Sequence, residues 1–126
     1  MILLDTSFLI RALVRRSRED AQLRRWLRDA EPLGIAALAW AEFLCGPVSH
    51  DAIAAAADLV GEPIAFGAAE ATQTARLFNG AGRKRGTLVD CMIAATAIEN
   101  GAALATANRA DFERFVALGL TLAESA

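Results

Sequence analysis

The sequence predicts an α/β fold: a three-layer α/β/α sandwich around a mainly parallel central sheet of four to five strands. Three observations lead there. Short apolar runs alternate with longer amphipathic or Ala-rich segments along the whole 126-residue chain, the pattern of strands joined by crossover helices. The first run, MILLD, is apolar without alternation, as a strand buried on both faces requires. Gly and Pro punctuate the segments, while no repeat, low-complexity tract or Pro/Gly/Ser linker divides them. Residues 1–126 therefore read as one domain, long enough to bury its own core.

After the first strand, residues 6–14 read as a helix and residues 18–30 as a second, with Ala21, Leu23, Trp26, Leu27 and Ala30 as an apolar stripe. Pro32 and Gly34 flank a brief strand over 34–37, followed by a helix over 39–45 that Gly46-Pro47 ends. Residues 49–60 form an Ala-rich helix with Ser49 as N-cap. A third strand is expected over 63–66, then a helix over 67–81 and a polar loop over 80–86. The strongly apolar helix over 87–100 stops at Gly101. A fourth strand at 102–106, a last helix at 109–118 and a candidate fifth strand at 120–122 complete the order. Phe8, Phe43, Phe78, Phe112 and Phe115 are assigned to the core, and Trp26 and Trp40 to core packing or a partner groove rather than base stacking.

Composition narrows the function. The 55% hydrophobic fraction is largely Ala, and no apolar run approaches the ~20 residues that span a bilayer. The start reaches Asp5 at once, without a basic region or cleavage site, so a cytoplasmic location is expected and no membrane partner. Cys45 and Cys91 lack CxxC spacing and lie in apolar stretches, which reads as buried free thiols. A single histidine, His50, argues against a Ser-His-Asp triad or a His-rich metal site. The net charge of −2 conceals two basic clusters, one of seven arginines between Arg11 and Arg28 and one at Arg83, Lys84 and Arg85. The first reads equally as a solvated helix face or as an RNA-phosphate contact; the second, in a loop, favours contact with substrate or partner.

In a parallel α/β sheet the working site lies beyond the carboxyl ends of the strands. Asp5 ends the first strand, Asp90 begins the helix before the fourth, and Asn108 and Asp111 follow the fourth. Each also has a plain structural reading. Asp5 could cap the first helix, while Thr87 with Asp90 and Asn108 with Asp111 fit the capping-box spacing. Glu42 does not fit that scheme. It stands in ALAWAEFLCG with no cation on its own helix, and a carboxylate in apolar surroundings needs a partner. Converging carboxylates without histidine suit Mg²⁺ or Mn²⁺, ions that activate water for phosphodiester cleavage.

Four stretches then carry a resemblance: LLDTSFLI, WAEFLCG, GTLVDCMIAATAIENGAAL and LATANRADF, in that order and spacing over nearly the whole chain. With them the sequence resembles the PIN-domain ribonucleases, most closely the VapC-like toxins of VapBC toxin–antitoxin pairs. The resemblance implies the PIN fold and Mg²⁺-dependent cleavage of RNA by metal-activated water, with Mn²⁺ able to substitute. It also implies a cognate antitoxin that covers the site, and a homodimer. Carried over by position, Asp5, Glu42 and Asp90 correspond to the metal-holding catalytic acids. Thr6 and Ser7 correspond to supporting hydroxyls, and Thr106 to a hydroxyl beside the site. Asn108 stands where many members of the family have a fourth acid; it can offer a neutral oxygen but no charge, and Asp111 is the alternative for that position. Arg83, Lys84 and Arg85 are the candidate RNA contacts.

Two other classes compete with this one. The change to Asn108 motivates a catalytically weak PIN-like module that binds RNA or protein. A phospho-aspartate on Asp5 is disfavoured, because Ser7 stands where a second acid would be needed and the only lysine, Lys84, lies in a loop.

Overall fold

β1 (Ile2–Leu4) is buried along its whole length, which explains its unbroken apolar sequence. In the computed structural model, which describes residues 1–125, it lies between β2 (Leu33–Gly34) and β3 (Ala103–Ala105), and β4 (Thr121–Leu122) flanks β3. The pairings are all parallel, with Ile2 opposite both Leu33 and Ala103 and Leu4 opposite Ala105. The strand order is β2-β1-β3-β4. From β1 the chain first moves toward one edge of the sheet and later builds toward the other, so the order reverses between β1 and β3. Sheets of this kind hold ligands in the crevice beyond the strand ends at that point. Gly34 makes the β1–β2 contact possible: a Cβ there would sit 3.0 Å from Leu3 Cδ2 and 3.3 Å from the Met1 sulfur.

The helices are α1 (Thr6–Ala12), α2 (Arg18–Arg28), α3 (Ala37–Cys45), α4 (His50–Val60), α5 (Ala68–Gly80), α6 (Leu88–Glu99) and α7 (Arg109–Phe112), with a 3₁₀ segment at Glu113–Leu118. Packed on the parallel sheet they make the expected α/β/α sandwich. Phe8 of α1 stacks on Trp26 of α2 with ring centroids 5.4 Å apart, joining the first two helices. Ser17 and Ser49 cap α2 and α4 by accepting from the backbone N–H of Asp20 and Ala52. α6 is the innermost helix. Cys91, Ile93, Ala94, Ala95, Thr96 and Ala97 are all buried, and the small side chains let α5 and the sheet come close. Its buried Thr96 hydroxyl donates to the Met92 carbonyl at 2.8 Å, so no polar group is stranded. Gly101, with φ of +61°, follows the helix end in the left-handed conformation that glycine tolerates.

Several expectations are corrected. The strand expected over 63–66 reduces to one bridge between Ile64 and Ala36. Ile64 uses its N–H on Ile35 and its carbonyl on Ala37, while Pro63 has no N–H to extend the ladder. The sheet therefore has four strands. The last helix breaks at Glu113 into a 3₁₀ segment, which turns Phe112 and Phe115 both inward, edge to face. In α2, Leu23 and Trp26 are buried, but Ala21, Leu27 and Ala30 are exposed. Gln22 takes the inner position instead, its amide oxygen accepting from Arg25. Cys45 is exposed on α3, whereas Cys91 is buried as expected. Burial pushes the Cys91 thiol pKa up, which keeps it protonated and inert. Among the described residues, no helix is long and apolar enough to cross a membrane.

Candidate functional site

Asp5 follows β1 directly, and Thr106 follows β3. Because those strands are neighbours, the ladder continues past their ends: the Asp5 N–H donates to the Ala105 carbonyl at 2.8 Å. This brings together two residues distant in sequence. The Thr106 hydroxyl donates to Asp5 Oδ2 at 2.8 Å, and the Ser7 hydroxyl donates to the same oxygen at 2.9 Å. Each hydroxyl in turn accepts a backbone N–H, Ser7 from Ala107 at 3.1 Å and Thr106 from Asn108 at 3.0 Å. Each has one proton and one lone pair so engaged, which directs both protons onto Asp5. These hydrogen bonds satisfy one oxygen of a carboxyl group that is only 5% exposed. Both act on Oδ2; among the described residues Oδ1 has no hydrogen-bond partner, and Asp5 lines a pocket.

That pocket, about 260 Å³, is lined by Asp5, Thr6, Ser7, Ile10, Glu42, Asp90, Asn108 and Phe112. It gathers side chains from the ends of β1 and β3 and from α1, α3 and α6. Thr6 ties α1 to α3, with its hydroxyl 2.9 Å from the Ala39 carbonyl and 3.2 Å from Glu42 Oε1. Asp111 and the loop bearing Arg83, Lys84 and Arg85 lie outside the pocket lining. Asp111 is still near enough for its charge to act on Asp90. Arg83 rests over the Phe78 ring and donates to Asn79, while Lys84 and Arg85 are exposed in the turn that leads into α6, whose third residue is Asp90.

The helix-cap readings of the acids do not hold. Asp5, Thr87 and Asn108 precede α1, α6 and α7, yet none makes a side-chain cap hydrogen bond. The Thr87 hydroxyl donates backward to the Lys84 carbonyl at 2.6 Å instead. The premise for Glu42 also changes. It is exposed at the pocket rather than enclosed by apolar side chains, because Phe43 takes the inner face of α3. The feature that groups Glu42 with Asp5 and Asp90 is therefore shared location, not burial.

Electrostatics reinforce that grouping. Partial burial pushes the Asp90 carboxyl pKa up, the Asp5 and Asp111 charges add to the rise, Arg114 opposes it and Glu42 adds a little more. Arg114 Nη2 lies 3.8 Å from Asp90 Oδ2, a long ion pair, with the guanidinium over the Phe115 ring at 4.7 Å. That nitrogen is buried and has no hydrogen-bond partner among the described residues. The pocket thus holds an excess of negative charge that one distant guanidinium offsets only in part.

A divalent cation fits this donor set. Among the described residues, no three carboxylate, imidazole or thiolate groups close a metal cage by themselves. A Mg²⁺-type ion does not require one, since it keeps several waters and takes one or two carboxylates directly. Asp5 Oδ1 and the Asp90 carboxylate supply hard oxygens, and Glu42 and Asn108 add an acid and a neutral amide oxygen.

The larger cleft, about 420 Å³, adjoins the acidic pocket rather than coinciding with it. It holds Arg11, Arg18 and Arg109, with Thr106 common to its wall and to the Asp5 network. Sequence reasoning found Arg11 and Arg18 only as part of a charge run and missed Arg109, whose position just after the fourth strand was the available signal.

Comparison with known proteins agrees with this architecture. The chain superposes on VapBC2 from Rickettsia felis bound to a promoter DNA fragment with a TM-score of 0.78, at 21% identity over all of both chains. FitAcB from Neisseria gonorrhoeae gives 0.72 at 22% identity, covering 98% of this chain and 97% of that one. VapC20 of Mycobacterium tuberculosis, a toxin that cleaves the sarcin–ricin loop, gives 0.64 at 18% identity, covering 99% and 100%. At these identities the likeness is one of fold. No curated protein matches by sequence. The sequence pattern of the PIN domain matches residues 2–118, and the chain belongs to that family.

Proposed function

We propose that this protein is a Mg²⁺- or Mn²⁺-dependent endoribonuclease and the toxin of a toxin–antitoxin pair. The observation that carries the reading is the convergence of Asp5, Glu42, Asp90 and Asn108, from four separate segments, on one pocket beyond the carboxyl ends of β1 and β3. Asp5 and Asp90 would hold the ion, with Glu42 and Asn108 completing its surroundings. When bound, the ion supplies an activated water and charge stabilisation for phosphodiester cleavage. Ser7 and Thr106 both donate to Asp5 Oδ2 and so fix the orientation of its carboxylate at the pocket. Thr6 restrains Glu42 across the α1–α3 contact.

A protein partner over this site is supported by the surface around it. Ile10, 47% exposed, lines the pocket, and the exposed Leu88 and Val89 immediately precede Asp90. Leu44, also exposed, lies two residues beyond Glu42. An exposed apolar side chain in the pocket wall, with others on the same helices as Glu42 and Asp90, is a poor solvent-facing surface and a good binding one. The fold relatives from Rickettsia and Salmonella were solved as VapBC complexes on DNA, which supports a cognate antitoxin; a homodimeric free toxin and a cytoplasmic location complete the proposal.

The test is cleavage of RNA by purified, partner-free protein in Mg²⁺. Cleavage that EDTA stops and that Glu42→Gln slows at least tenfold supports the reading; intact RNA, or cleavage indifferent to both, contradicts it. One observation favours a second reading, a PIN-like module that binds RNA without cutting it: Asn108 leaves the pocket one carboxylate short. Growth arrest on expression, relieved by Asp5→Ala, excludes that version.

A further inference from the structure

The arginine cleft beside the acidic pocket has no role in the chemistry described so far. Its three cations come from three elements: Arg11 from α1, Arg18 from the first turn of α2 and Arg109 from the first turn of α7. Glu19 and Glu124 also line it, leaving a formal excess of one positive charge. The α2 amino terminus opens here through its cap, Ser17, and adds the positive end of an eleven-residue helix. Arg109 is held in place, one Nη donating to the Ala123 carbonyl at 2.7 Å. Among the described residues, neither Arg11, Arg18 nor Arg109 is paired with a carboxylate; the ion pairs are Arg24–Asp20 and Arg114–Asp90, both elsewhere.

The partition between the two clefts is thin. Thr106 lines the arginine cleft, and its hydroxyl holds Asp5 in the acidic one. A ligand that spans both must present negative charge to the arginines while one of its groups reaches the acids. A nucleic acid strand has that form, with a phosphate at every nucleotide. The acids repel those phosphates, so a strand lying across the acidic pocket needs cations next to it.

We propose that this cleft binds backbone phosphate of the RNA strand flanking the scissile bond, with Arg11 and Arg18 as its principal positioning residues and Arg109 as a fixed third donor. This rests on the ribonuclease reading and extends it with a subsite. The cleft recognises phosphate, not base identity: its one aromatic residue, Phe8, is buried against Trp26 and unable to stack on a base.

The test uses the full chain and the double variant Arg11→Gln/Arg18→Gln, both positions being exposed. With a labelled oligoribonucleotide substrate in Mg²⁺, the expected result is a KM raised about tenfold with little change in kcat. The dependence of log KM on log salt should flatten by ~0.7 for each arginine–phosphate pair removed. Arg11→Lys/Arg18→Lys should restore most of both effects. An unchanged KM and salt slope overturns the proposal. Fluorescence anisotropy in the Asp90→Asn background separates this failure from failure of the ribonuclease reading. Oligouridylate binding weakened about tenfold by the arginine substitutions upholds the cleft even if the parent protein cuts nothing. Equal binding, or capture of polyglutamate in preference to oligouridylate, overturns it.

Discussion

The Thr106 hydroxyl sits 2.8 Å from Asp5 Oδ2, although the two residues are 101 positions apart in the chain. Parallel pairing of β1 with β3 creates this contact; Ser7 and Thr106 accept the N–H groups of Ala107 and Asn108, and Asp5 Oδ2 is a nearer acceptor for each hydroxyl proton than the other hydroxyl, 3.2 Å away. Thr106→Val keeps the shape and removes the donor. Loss of a charge-assisted hydrogen bond to a buried carboxylate should cost about 1.5–3 kcal/mol. Urea denaturation checks this, and a midpoint equal to that of the parent protein would show that the network does not hold Asp5.

Asp90 should behave as an acid that destabilises the metal-free fold. Its pKa is raised on folding by burial and by Asp5, Asp111 and Glu42, with Arg114 opposing. Between the unfolded and folded pKa values the native state binds the extra proton, so stability falls as pH rises through that window and then levels off. Asp90→Asn should therefore raise Tm in EDTA at neutral pH and lose that advantage on acidification. Thermal melts across pH decide it; a variant less stable than the parent at neutral pH contradicts the sign.

Arg114 competes with a cation for Asp90 from 3.8 Å. Arg114→Gln retains most of the stem that covers Phe115 and removes the charge. Mn²⁺ affinity should rise roughly fivefold, about 1 kcal/mol, as expected for relief of a partly screened repulsion. Weaker binding would instead make Arg114 a support of the site.

Leu104 is fully buried at the centre of β3, between β1 and β4. Leu104→Ala should cost about 2–5 kcal/mol in chemical denaturation. A smaller loss would mean that the sheet interior relaxes around the cavity.

The sequence was most readable where one local signal governs the outcome. MILLD could be only a buried strand, and Ser49 caps its helix as placed. Readings that depended on which way a helix faces were less secure. α3 is apolar nearly all round, so nothing local shows that Phe43 turns inward while Glu42, Leu44 and Cys45 face out. For the same reason the candidate acids were found by motif and position, whereas the burial argument for Glu42 pointed the wrong way. Cap spacing at Thr87–Asp90 and Asn108–Asp111 was misleading because nearer partners in the preceding turns took over: the Lys84 carbonyl accepts from the Thr87 hydroxyl, and the Asn108 N–H donates to the Thr106 hydroxyl. The arginine cleft was legible only as a charge run at Arg11 and Arg18, since Arg109 joins them only once β1 and β3, the strands before α1 and α7, pair.

Calorimetric titration with Mn²⁺ tests the acidic centre most directly, because it reads the ion itself without a choice of RNA. The parent protein should bind Mn²⁺ in competition with Mg²⁺, and excess ion, at about 100 times Kd, should stabilise the fold by ~2.7 kcal/mol. Asp5→Asn and Asp90→Asn should abolish the heat of binding while remaining folded. No saturable heat from the parent protein, or equal binding by both variants, would contradict the assignment of Asp5 and Asp90 as metal ligands.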